Sequence, residues 1–479
     1  MTDRRCILVY NPVSGHGHLD SWNAIFIGQL LDRGWRVLAL TPNVPALLLR
    51  LAQKGQDGNE RLHILDWNVT LPRIESESRF RAFRRRASEM FHQNWRGWEE
   101  YCFQQSGNEI SYTTYFSEFR KNKFHRIVIP FAFRASYFLY IRFRHLCQDI
   151  RSLIIRGLHW GKPIKEDPEK FMACPTDMAR RVAANLIKVQ WQPVIAFNMY
   201  MDTYRTSQSA WCVFESINSL MWGGIRFVPL PTPQEAWYAL PTWRGMCFLD
   251  EKICHVYTDA LPNKCFSYLP DVTETALPDT PSSLVQDIRQ RAANRKIIFL
   301  GGSIGGQKNI ARWFDLIAMA DPQQWFFVQV GEIYRNTLTS EDIAALDRAV
   351  SLSPENLLLH SAYLPDDRSF NEIIAASDLI FAVYRNFRIS SNMLGKAAYF
   401  RKPLLVSDQS LMGERVLQYG IGRAVAEDSA IAMFDGMVNL IQEPVPEENF
   451  ARYCDDFCIM TLTTQLEKFL LKCLCTEVL

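Results

Sequence analysis

At 479 residues, 48% hydrophobic and 22% charged, with a formal net charge of +2, the chain has the composition of a globular protein and none of the bias of a disordered, fibrous or collagen-like one. It is long enough for two domains of ordinary size, each with its own core. The apolar run after Arg5 is too short for a signal peptide, and no stretch reaches the roughly 18 apolar residues of a membrane span, so a cytoplasmic protein is expected.

Twelve cysteines are scattered from Cys6 to Cys475 without a framework, which predicts reduced thiols. Cys454/Cys458 and Cys473/Cys475 lack a histidine or second pair at zinc spacing, so they read as packing residues and no metal site is expected.

The first eighty residues read strand, turn, helix, strand. "RCILVY" is a compact β-type run, "NPVSGHGH" a Gly- and Pro-containing turn, "LDSWNAIFIGQLLDRG" a helix, and "WRVLAL" and "RLHILDW" two further strands. Strands alternating with helices of this length predict βαβ units, a parallel sheet and a ligand at the carboxyl ends of its strands.

From Arg79 to Lys162 the pattern changes: sixteen Lys/Arg stand against six Asp/Glu, interleaved with Phe, Tyr and Trp, as in long amphipathic helices. Three readings fit. The segment is a helical insertion that packs on the first domain (about 79–190), a peripheral contact with an anionic membrane at its inner face, or a nucleic-acid surface. Nucleic acid is not expected, because no RNP, helix-turn-helix or zinc signature accompanies the charge.

Strand-like runs resume with "QPVIAFNMYM", "GIRFVPLP" and "KICHVYTDAL". The Pro-rich "LPDVTETALPDTPSSLVQ" marks a boundary. After it, strand and helix alternate five times, from "KIIFLGG" and "NIARWFDLIAMA" to "PLLVSD" and "MGERVLQY", which predicts a doubly wound sheet. The expected layout is an N-terminal domain over 1–275, a linker over 276–294, a second Rossmann-like domain over 295–445 and a helical tail over 446–479.

Two Rossmann-like halves with a proline-rich hinge resemble GT-B glycosyltransferases. The second half is similar to the "glycosyl transferases group one" family over roughly 150 residues. The matched pieces, in order, are Gly301-Gly302 with Lys308-Asn309, "VQVGE", "AASDLIFAVY", "RKPLLVSD" and "GERV…GIG". "SGHGHLDSWNAIFIGQLLDRGWRV" looks like the acceptor-side loop and first helix of the superfamily.

The resemblance implies a metal-independent transfer of sugar from a nucleoside diphosphate sugar to a hydroxyl on a glycan or lipid-linked acceptor, with no cofactor. It places the donor diphosphate between Gly302, Lys308 and the helix opening at Ser390, Ser391 and Asn392, whose unpaired N–H groups suit an anion. Arg385 or Arg388 would offset its charge, and Glu332 and Glu414 would meet ribose or sugar hydroxyls. Gly15, His16 and Gly17 would form the acceptor-side loop, with His18 as a general base or a surface turn residue. Asp202 would orient an acceptor hydroxyl or cap a helix.

Two departures stand out: Arg388 and Lys396 occupy the places of the family's paired glutamates, and Gly302 that of an arginine. A non-catalytic GT-B relative and a sugar-nucleotide epimerase are therefore the alternatives.

Overall fold

The computed structural model describes residues 5–14, 19–69, 173–204, 208–364 and 366–475. The expected insertion up to residue 172, with its membrane contact over 79–162, and the loop residues Gly15, His16, Gly17 and His18 lie outside them. Among the described residues no helix is long and apolar enough to cross a membrane.

Two all-parallel sheets form the two lobes. In the N-lobe, β1 (Cys6–Tyr10), β2 (Arg36–Leu40), β3 (Leu62–Ile64), β4 (Ile195–Asn198), β5 (Trp222–Arg226), β6 (Trp243–Phe248) and β7 (Cys265–Tyr268) lie in the order β3-β2-β1-β4-β5-β6-β7. In the C-lobe, β8 (Lys296–Gly301), β9 (Trp325–Val330), β10 (Leu357–His360), β11 (Leu379–Ala382), β12 (Leu404–Ser407) and β13 (Gly422–Val425) lie in the order β10-β9-β8-β11-β12-β13. The order reverses between β1 and β4 and between β8 and β11, so each lobe has its crevice there.

The strands are continuous apolar runs because both faces are covered. In β1, Ile7 and Val9 face a core built with α1 (Leu19–Asp32), whereas Cys6, Leu8 and Tyr10 face one built with α3 (Pro175–Leu186) and α4 (Gln208–Ile217). Between α1 and α3 the described helix is α2 (Val44–Ala52).

"KICHVYTDAL" is not a strand but α5 (Glu251–Ala260). Asp250 caps it by accepting from Lys252 N and Ile253 N, and Tyr257 supplies its buried contact, so the β-branched residues do not decide the local structure. The flanking strands β6 and β7 carry the sheet instead.

Part of the expected linker is also structured. Residues Ser283–Ala292 form α6, whose Val285, Ile288 and Ala292 enter the C-lobe core. The remaining C-lobe helices are α7 (Ile310–Met319), α8 (Ser340–Leu352), α9 (Asp367–Ala376), α10 (Met393–Tyr399), α11 (Leu411–Tyr419) and α12 (Ala430–Gln442).

The last segment, α13 (Glu447–Asp456) and α14 (Ile459–Cys475), is no free tail. Helix α14 crosses back, and Leu462, Leu466, Phe469, Leu470 and Cys473 join the N-lobe core beside Phe26 and Phe197. Thr463 Oγ1 donates to Gln29 Oε1 of α1 at 2.8 Å. Phe469→Ala is therefore expected to destabilise the N-lobe by about 3–5 kcal/mol, seen calorimetrically as a lowered transition, whereas a peripheral tail would leave melting unchanged.

Candidate functional site

The first-strand loop of the C-lobe is shaped by two close backbones. Gly302 has φ +95°, and a Cβ on Gly331, itself at φ +144°, would lie 1.8 Å from Gly302 O. An arginine at position 302, as the family resemblance implied, would be strained in that conformation. The loop ends in a short 3-10 turn, Gly306–Lys308.

Lys308 reaches back under this loop. Its Nζ donates to Gly301 O at 2.9 Å and Tyr384 Oη at 2.8 Å, and lies 4.0 Å from the Tyr384 ring centroid. Tyr384 follows β11, so the two loops at the switch point meet here. The backbone joins them too: Arg385 N donates to Gln307 O at 2.8 Å. Lys308 is half-buried and makes no ion pair with a described carboxylate.

Arg385 does not share that freedom. Its guanidinium donates to Asp342 Oδ2 at 2.6 Å and to Gly306 O at 3.2 Å. Burial pushes the Asp342 carboxyl up, but N–H groups of Ala311 and Thr339, the Thr339 hydroxyl and Arg385 outweigh it and hold the carboxyl below its ordinary range. The charge of Arg385 thus holds the 306–307 loop to the start of α8, and the expectation that it offsets a diphosphate is corrected. Arg388 is exposed and makes no hydrogen bond or ion pair with a described residue.

Ser390 is likewise committed. Its Oγ donates to Asp271 Oδ2 at 2.5 Å and accepts from Arg415 Nη1 at 2.6 Å, so its proton is spent within the fold. Arg415 also donates to Leu249 O of the N-lobe. Helix α10 is N-capped at Asn392, whose side chain makes no capping bond, while Ser391 Oγ accepts from Met393 N at 3.4 Å.

Lys396 points into the fold. It is 1% exposed, and its Nζ donates to Asn371 Oδ1 at 2.6 Å, Glu274 O at 2.8 Å and Asp367 Oδ1 at 3.2 Å.

Glu332 is exposed after β9 and accepts from Tyr334 Oη at 2.9 Å. Glu414 pairs with Lys252 of α5 at 2.8 Å on the exposed surface between the lobes. Asp202 follows β4 and is drawn into the N-lobe: its oxygens accept from Phe227 N at 2.7 Å and Val228 N at 2.8 Å. Burial pushes its carboxyl up against these N–H groups. It acts as a clamp on the loop after β5, neither a base nor a helix cap.

Sequence reading missed Tyr384, Asp342, Asp271 and Arg415. Tyr384 stands one residue before the Arg385 it flagged, and Asp342 closes a Thr339 capping box; those local signals were present. Asp271, 119 residues from Ser390, had no local signal. No group of three or more His, Cys, Asp or Glu side chains able to hold a metal occurs among the described residues.

No protein-family model and no curated protein matches the sequence. Solved structures do. A structure described as trehalose-6-phosphate from E. coli bound with UDP-2-fluoro glucose superposes with a TM-score of 0.56 at 12% identity, covering 99% of each chain. Anabaena HepE in complex with UDP and glucose gives 0.55 at 11% identity, covering 97% of this chain and 99% of that one. An α,α-trehalose-phosphate synthase (UDP-forming) from Burkholderia vietnamiensis gives 0.54 at 12% identity over 97% and 99%.

The fold is GT-B. At these identities the likeness establishes the GT-B architecture of two Rossmann-like lobes.

Asp342→Asn tests the assignment of Arg385 as structural. A loss of about 3 kcal/mol is expected at pH 7. Because the folded carboxyl is held below its ordinary value near ~3.9, its stabilisation is complete above that value and lost as pH falls through the lowered one. Calorimetric melts of wild type and variant should therefore converge only in acid; a constant gap across pH would contradict the assignment.

Proposed function

We propose that the chain is a glycosyltransferase that moves a sugar from a nucleoside diphosphate sugar to a hydroxyl of a glycan or glycolipid, without a divalent metal. The observation that carries this reading is the state of Lys308. A half-buried ammonium stands at the mouth of the C-lobe switch point, held among the described residues by a carbonyl and a phenol. Those neutral oxygens orient the cation without neutralising it, so the site is completed by an anion. The likeness to GT-B structures solved with UDP or a UDP-sugar supports a pyrophosphate as that anion.

Chemically, the bond between the anomeric carbon and the diphosphate oxygen breaks, and negative charge grows on that oxygen. Lys308 stabilises it from the first-strand loop, and the exposed Arg388 supplies a second positive charge from the facing loop. The Asn392 amide and the Ser391 hydroxyl complete the donor side. Glu332, exposed and held through one oxygen only, is the acceptor for ribose hydroxyls. On the acceptor side His18 takes the proton of the acceptor hydroxyl as its oxygen bonds to the anomeric carbon that the diphosphate leaves. The basic aromatic block over 79–162 is the reason for including lipid-linked acceptors.

A non-catalytic GT-B relative is the second reading, favoured by the buried Lys396 where the family carries an acidic donor contact.

A thermal-shift series with UDP, GDP, ADP and CMP separates these. One nucleoside diphosphate is expected to raise the melting temperature, EDTA to leave the shift unchanged, and Lys308→Ala to weaken binding by roughly tenfold, the scale of one charge-assisted contact. A flat response to every nucleotide would sink the reading; binding without hydrolysis or transfer from any donor sugar would favour the non-catalytic one.

A further inference from the structure

We propose that Asp367 is a positioning residue that couples the acceptor-side helix α1 to the donor-side helix α10. Its functional consequence rests on the transferase reading; the coupling itself does not.

The first residue of α9, Asp367, uses its two oxygens on different lobes. Oδ2 accepts from Ser21 Oγ of α1 at 2.5 Å, and Oδ1 accepts from Lys396 Nζ of α10 at 3.2 Å. Both ends are held tightly. Ser21 is 4% exposed and lies in the first turn of α1, just after the 15–18 loop. Lys396 is immobilised by Asn371 and by Glu274 O, and Asn371 Nδ2 donates in turn to Glu274 O at 3.0 Å and Ala276 O at 2.9 Å.

The chain between the lobes lies on the same helix. A Cβ added to Gly395 would come within 3.0 Å of Thr273 Cγ2, so residues 271–276 are packed against α10. The Lys396 bonds lie on one side of the Ser21 contact, to α9 and to the connecting segment, whose Glu274 carboxylate also pairs with Lys54 of the N-lobe. The Ser21–Asp367 bond is breakable, because a hydroxyl on a one-carbon stem loses its acceptor once the lobes part by about an ångström.

This divides the network into a Lys396 half, with Asn371, Glu274 and Asp367, and a breakable half, Ser21 with Asp367. Lys396 keeps Asp367 ionised and aimed whether or not Ser21 is present. When Ser21 engages, the start of α1 is fixed relative to the opening of α10. Thus Lys396, which could not accept from a ribose hydroxyl, serves the cleft in another way, because its ammonium sets the carboxylate that registers closure.

The test uses Ser21→Ala, which leaves Lys396 and Asp367 paired and so spares the C-lobe, and Ser21→Thr, which keeps the hydroxyl. Hydrogen exchange of peptides covering 19–32 and 367–376 is read together with small-angle scattering. Ser21→Ala is expected to speed exchange in the first turns of both helices by roughly tenfold or more, the scale of one hydrogen bond to a charged group, and to enlarge the radius of gyration. Exchange over 296–301 should stay unchanged, and Ser21→Thr should restore both readouts. Exchange and scattering identical to wild type in Ser21→Ala would overturn the coupling. If they change while no nucleotide binds, the coupling stands and the transferase reading fails. Where turnover is measured, kcat per folded enzyme, counted by donor-site titration well below the melting temperature, should fall by a similar factor with the donor KM unchanged, whereas a loss of mere stability would lower only the folded fraction.

Discussion

A single buried ammonium organises the junction on which the two lobes turn. Removing Lys396 from water costs several kcal/mol, which only a full set of acceptors offsets. Burial pulls its pKa down, and Asp367 and Glu274 pull it back up. Three acceptors on two segments, Asp367 and Asn371 of α9 and the carbonyl of Glu274, supply that set. Satisfying one charge therefore fixes where α9, α10 and the connecting chain lie relative to one another. The donor-side loop before α10 inherits its position from this arrangement, and the Arg415–Ser390–Asp271 chain pins its other end.

The distribution of cations around the crevice follows one rule. Arg385, Arg415 and Lys396 are buried or half-buried and direct their hydrogen bonds to carboxylates, carbonyls or hydroxyls of the fold. Lys308 is held without an opposing charge, and Arg388 is not held at all by a described residue. Arg385 and Lys308 thus approach the same 306–308 turn, and among the described residues only Arg385 meets an opposing charge.

The alternation of strand and helix in the second half was plain in the residues, because β8, β9, β11 and β12 are buried along most or all of their length and most of the helices begin at a polar cap. The Gly301-Gly302 turn and Lys308 stood out for the same local reason. What escaped was long-range. Nothing near Ser390 announces Asp271, and nothing near Lys396 announces that its partners lie on α9 and in the connecting chain. The misreading of "KICHVYTDAL" had a local cause: Ile253, Val256 and Tyr257 favour a strand by propensity, and the Asp250 cap overrode them.

The return of α14 to the first lobe has a consequence for how the chain acquires its structure. Leu462, Leu466, Phe469 and Cys473 complete a core whose other members, from Ile7 to Val272, are made long before them. During synthesis the C-lobe has all of its residues first, and the N-lobe keeps an apolar flank uncovered until the final helix has emerged. The lobe that begins the chain is thus the last to be finished, and its assembly is a ring closure that waits for both ends of the polypeptide.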